Sequence, residues 1–176
     1  TFMDLHHAGV FVGLAAGLLA GIAFIMSLFK KKVLDMHFDE RQERARGKAF
    51  QYGFFTLLIA AYAYGISDVL LGRWCDVLTG VTLCIALALC VFAVTCILKD
   101  AYLSLREKPR TVMTFFALLS AVNLGLGVMY HISPGLTENG VLTFRAVNPI
   151  IGAAVLVILI VYIVNYLLRP RDEEAE

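Results

Sequence analysis

Few residues in this chain have the types and spacing that chemistry requires. Near the ends of its apolar runs stand His6, His7, Asp68 and His131. Imidazoles and a carboxylate gathered at one rim could ligate a transition metal or pass a proton. No H-x-x-x-H or comparable spacing sets two of them on one helix face, so they read equally as polar groups at a water boundary. Their pattern neither demands a metal nor excludes one. A second set, Ser120, Asn123 and Gly127, shares one helical face, with His131 four residues further on. This is the most polar stripe inside any apolar run. Such a stripe either hydrogen-bonds a neighbouring helix or lines a path for a polar substrate. The sequence contains no G-x-S-x-G, Walker loop, H-E-x-x-H or paired carboxylate within an apolar run. No catalytic residue is therefore assigned, and no cofactor is implied.

The third set is K-K-K-V-L-D-M-H-F-D-E-R-Q-E-R-A-R-G-K, residues 30–48, which holds seven of the fifteen Lys and Arg residues. Glu40 precedes Arg44 by one helical turn and Arg44 precedes Lys48 by another, which favours a helix with a charged face. Basic residues suffice to orient a membrane protein, and acids contribute little to that. Asp39, Glu40 and Glu43 interleaved with Arg41, Arg44, Arg46 and Lys48 are therefore a candidate docking surface for a partner. The plainer reading is a solvated charged helix that sets topology.

The elements that must position these residues are apolar. The chain is 176 residues long and 60% hydrophobic, with a mean hydropathy of +0.78, outside the range of soluble domains. Five runs of about 20 residues lack Lys, Arg, Asp and Glu, each long enough to cross a hydrocarbon layer of roughly 30 Å as a helix. No alternating short strands of a barrel are visible. The expectation is one all-α, polytopic membrane bundle with five transmembrane helices at about 8–29, 49–71, 77–98, 111–132 and 148–168. Thirteen Lys and Arg fall in 30–48, 99–110 and 169–176, and only Arg73 and Arg145 elsewhere. The positive-inside rule then places the N-terminus outside, the connections 30–48 and 99–110 and the tail 169–176 in the cytoplasm, and the loop 133–147 outside. The first run is expected to act as an uncleaved anchor, because its positive charges follow it.

Several local features refine this expectation. Gly9, Gly13, Gly17 and Gly21 recur every four residues, a groove that lets another backbone approach closely in lipid. Its partner is another span of this chain, a second copy or a separate protein. Trp74 fits an interfacial aromatic belt. An interfacial helix is expected over 99–110, and Pro134-Gly135 with Asn139-Gly140 point to a compact loop or small hairpin. Cys84, Cys90 and Cys96 lie six apart in one run and Cys75 outside it, which argues against a disulfide or a thiolate metal site.

Residues 38–57, F-D-E-R-Q-E-R-A-R-G-K-A-F-Q-Y-G-F-F-T-L, resemble a segment of small integral-membrane proteins of Gram-positive bacteria, themselves uncharacterised. There a D-E-R-Q and A-R-G-K-A element leads directly into a span. The resemblance implies a bacterial cytoplasmic membrane protein with a distinctive inner element, and names no activity. The functional expectation is a non-enzymatic regulatory or accessory subunit that docks a protein partner or a second copy, with the lipid bilayer around it and no nucleic acid. The alternatives are a small permease with its path along the fourth run, and a membrane enzyme or metal site at the outer rim.

Overall fold

The computed structural model describes residues 38–103 and 109–168, with Leu19, Ala23 and Met26 as isolated helical positions. The chain divides into Thr1–His37 and Phe38–Glu176, and the second unit is the one described below. The first apolar run, the glycine ladder at Gly9, Gly13, Gly17 and Gly21, the two histidines His6 and His7, and the tail 169–176 lie outside the described residues.

Among the described residues, four helices are long and apolar enough to cross a membrane, and this is a helical membrane protein. They are α1 (Glu40–Leu71), α2 (Val77–Leu98), α3 (Pro109–Ile132) and α4 (Val147–Leu168). A short 3-10 turn, Phe144–Ala146, leads into α4. Pro149 sits in the first turn of α4, where its missing N–H would have had no helical partner.

Residues 40–48 of the charged stretch and the second apolar run form one continuous helix. α1 has 32 residues and so runs about 48 Å, against about 33 Å for the 22 residues of α2. The excess of about 15 Å is the charged N-terminal part of α1. Asp39 starts it with a capping box: its carboxylate accepts from the Gln42 amide at 2.7 Å, and the Gln42 side chain accepts from the Asp39 amide at 3.2 Å. Gly72, at φ +77°, stops the other end in a conformation that side chains disfavour.

α2 packs on α1 and on α4, and α4 packs on α3, giving the spatial order α1–α2–α4–α3. Among the described helices α1 is an outer one: none of its most apolar window is buried, against 33% of the corresponding window of α2. The contacts rest on small residues, as expected where lipid removes any hydrophobic drive between helices. A Cβ on Gly53 of α1 would lie 3.1 Å from the Ala88 carbonyl oxygen of α2. A Cβ on Gly152 of α4 would lie 2.9 Å from the Leu124 backbone nitrogen of α3. The buried core between α2 and α4 is Ala93, Ile97 and Ile158, with Tyr102, Phe116 and Tyr162 packed against it.

The loop after α3 forms the expected hairpin. Strands β1 (Thr137–Glu138) and β2 (Val141–Leu142) pair antiparallel around Asn139 (φ +52°) and Gly140 (φ +80°), the signature of a two-residue turn with both central residues left-handed. Leu142 then exchanges hydrogen bonds with the α1–α2 turn: its amide donates to Trp74 O at 2.9 Å, and its carbonyl accepts from the Asp76 amide at 2.8 Å. Thr79, 1% exposed, donates to Thr143 O at 2.9 Å. These bonds lock one end of the bundle and bury Cys75.

Candidate functional site at the charged end of the bundle

At the other end, α1 extends past α2 and meets the turn that follows it. The interfacial helix expected over 99–110 does not form in the described residues 99–103. α2 instead ends in a Schellman motif: the Ala101 amide donates to Cys96 O at 2.8 Å and the Asp100 amide to Ile97 O at 3.1 Å, with Asp100 at φ +56°. Aspartate is one of the few side chains that tolerate that conformation. The reversal sends the chain back beneath α1.

Two side chains of α1 hold that turn. Gln42, 7% exposed, donates to Asp100 O at 2.8 Å and lies 3.5 Å from Leu103 O. Arg46 donates to Ala101 O at 3.1 Å, and its guanidinium lies 4.1 Å from the Phe38 ring centroid and 5.7 Å from that of Phe92. Both residues sit one turn apart on the α2-facing side of α1, in line with Ala49 and Gly53. The expected docking element is therefore divided. Asp39 caps the helix, Arg46 latches the turn, and Glu40, Arg41, Glu43, Arg44 and Lys48 are left exposed. The Glu40–Arg44 pair is present at 2.7 Å, with both side chains over three-quarters exposed, so it contributes little. Sequence reasoning passed over Gln42, although D-E-R-Q is the capping-box spacing that should have drawn attention to it.

Two grooves flank this end. One, of about 520 Å³, is lined by Arg41, Arg44, Lys48 and Gln51 of α1, with Lys99 just beyond α2. Among the described residues Arg41, Lys48 and Lys99 make no ion pair. The other, of about 350 Å³, lies between α1 and α2 and is apolar, lined by Gly53, Phe54, Leu57, Ala88 and Phe92 among others.

The polar stripe of α3 faces α4. Ser120, 3% exposed, donates to Gly152 O at 2.9 Å, and Asn123 donates to Leu119 O of its own helix at 2.8 Å. A Cβ on Gly127 would meet the Pro149 ring at 2.7 Å. The three residues thus form a seam between two helices. Asp68 and His131 stand on α1 and α3, which are not a packed pair in the bundle. Among the described residues no group of three or more His, Cys, Asp or Glu could hold a metal ion. Trp74 donates to Ser67 Oγ at 2.9 Å and stacks edge-on against Tyr64 at 5.9 Å.

Set against known protein families, curated proteins and solved structures, the chain matches none.

Proposed function

We propose that the protein is a multi-pass subunit of the bacterial cytoplasmic membrane, with five spans and the charged end of α1 inside, and that it regulates or assists a protein partner docked there. The observation that carries this reading is the build of the α1 extension. It is capped by Asp39, tied down by Gln42 and Arg46, and left with Arg41, Glu43 and Arg44 on an open face. A tether that only sets topology needs neither a cap nor a latch. A surface that selects a partner needs both, because rigid charges cost less entropy to engage. The glycine ladder of the first run would supply a second contact within the membrane. A permease path along Ser120, Asn123 and Gly127 draws on nothing beyond the stripe itself.

The test reverses Arg41→Glu and Arg44→Glu together, leaving cap and latch intact. The double variant should insert and fold as the parent does, yet lose the protein that co-purifies stoichiometrically from native membrane. Retention of that protein at parental stoichiometry would reject the docking surface. Impermeant labelling of intact cells carrying Asn139→Cys or Glu43→Cys, both at exposed positions, in a cysteine-free background checks the orientation. Position 139 should label and position 43 should not.

A further inference from the structure

The basic groove and the acid-rich stretch 172–176 carry opposite charge. On α1, Arg41, Arg44, Lys48 and Gln51 follow at steps of three, four and three residues, which sets them along one face. They line the groove together with Lys99, the first residue after α2. All four cations are exposed, and among the described residues no carboxylate lines the groove. Glu40 pairs with Arg44 at 2.7 Å from outside it, with both side chains over three-quarters exposed, so that pairing is weakly held. Residues 172–176, D-E-E-A-E, hold four of the fourteen Asp and Glu of the chain, and no other five consecutive residues hold as many.

The bundle fixes the point from which that stretch departs. α4 ends at Leu168, and three residues earlier Asn165 donates to Ile97 O at 3.3 Å. The end of α4 is therefore level with the end of α2. On the α1 side, Gln42 donates to Asp100 O and Arg46 to Ala101 O, which sets Arg44 and Lys48 at that level too. Packed helix axes lie about 8–10 Å apart. α1 and α4 each pack on α2, so their axes are at most about 20 Å apart there. Extended chain covers about 14 Å from residue 168 to 172 and about 28 Å from 168 to 176. Asp172 can reach Lys99, and the glutamates after it can reach Lys48 and Arg44.

We propose that residues 172–176 dock in the basic groove of their own chain, pairing with Lys99, Lys48 and Arg44, and so compete with the protein partner for that face. Charge complementarity and reach select this occupant. A short tether also holds it at an effective concentration of about a millimolar, which a ligand arriving from solution must exceed. The competition rests on the docking reading given above; the contact itself does not.

A carbodiimide joins a carboxylate directly to a lysine amine, so it reads the contact on the full chain in detergent, by mass spectrometry of peptides from the monomer. Residues 172–176 should couple to Lys99 and Lys48, and the coupling should be lost at about 1 M salt, where charges are screened within about 3 Å. Coupling only to other lysines such as Lys30 or Lys108 would overturn the proposal. So would coupling found only between copies in a mixture of light and isotope-labelled chains. The competition is read on the partner that co-purifies with the chain. Neutralising the stretch with Asp172→Asn, Glu173→Gln, Glu174→Gln and Glu176→Gln should tighten that partner's binding about 3-fold, as loss of two or three exposed ion pairs implies. Unchanged binding in that variant would overturn the competition. Partner binding that survives Arg41→Glu with Arg44→Glu would instead sink the docking reading, and the competition with it, while coupling to Lys99 and Lys48 still decides the contact.

Discussion

Gly152 is the position where the smallest change should do the most harm. A Cβ there would lie 2.9 Å from both Cγ and the backbone nitrogen of Leu124, and 3.0 Å from Asn123 Cβ. A backbone atom cannot rotate away, so Gly152→Ala must push α3 and α4 apart along their seam. Overpacking of this kind costs about 1–3 kcal/mol. The separation also stretches the 2.9 Å bond from Ser120 to Gly152 O, worth about 0.6–1.7 kcal/mol in a membrane bundle. A total of about 2–5 kcal/mol follows. The control is Gly125→Ala on α3, where nothing lies within 4 Å of the added carbon. There alanine should gain up to about 1 kcal/mol from its better helix propensity. Reversible unfolding of both variants in mixed micelles compares them directly. If Gly152→Ala unfolds at the same denaturant concentration as Gly125→Ala, the helices do not meet at Gly152 and the seam is misplaced.

Further expectations follow from the two ends of the bundle. Gln42→Ala strips the latch of its contact with Asp100 O and removes the acceptor of the Asp39 amide, so it should cost about 1–3 kcal/mol and speed amide exchange at Ala101, whereas Glu43→Ala on the exposed side should leave that exchange unchanged. Gly140→Val places a β-branched residue at φ +80°, which should open the hairpin and let a maleimide reach Cys75, 1% exposed in the intact cap; parental Cys75 should react only after unfolding. Thr79→Val removes the buried bond to Thr143 O and should lower stability by about 1–3 kcal/mol while leaving Cys75 protected.

The helices were legible because their signal is length and lack of charge. The run 77–98 has no competing reading at that hydropathy, and the helix is Val77–Leu98. The hairpin was legible because Asn139-Gly140 is a local turn signal that needs no tertiary context. Packing glycines were not. The regular ladder at Gly9, Gly13, Gly17 and Gly21 drew attention, whereas the contacts in the described bundle use Gly53, Gly80, Gly127 and Gly152 on four different helices. Each is matched to a group on a neighbour: Ala88 O, the Tyr64 ring, the Pro149 ring and the Leu124 backbone. Periodicity within one helix cannot display that pairing. The turn at Asp100 escaped for a related reason, since a Schellman motif without glycine leaves no residue-type signature. The charged element misled in another way: its residues were read together, and only the fold distinguishes Asp39, Gln42 and Arg46, bound inward, from Arg41 and Arg44, left outward.

That division also says how a contact at the charged end would be felt elsewhere. α1 is continuous from Glu40 to Leu71, with no proline along it to absorb a bend. Among the described residues its apolar window is unburied, and three points grip it against α2 and the turn that follows it. Those are the Gln42 and Arg46 latch at one end, Gly53 against Ala88 in the middle, and Tyr64 against Gly80 and Trp74 at the other. A partner pulling on Arg41 and Arg44 loads the latch first. Once the latch yields, a tilt of the helix about Gly53 shifts Tyr64 against the turn that holds Trp74 and Cys75. The charged end and the hairpin cap are thus joined by one continuous helix. Cutting the latch with Gln42→Ala and Arg46→Ala together should therefore raise labelling of Cys75 at the far end, and labelling held at the parental rate would show that α1 does not act as a lever.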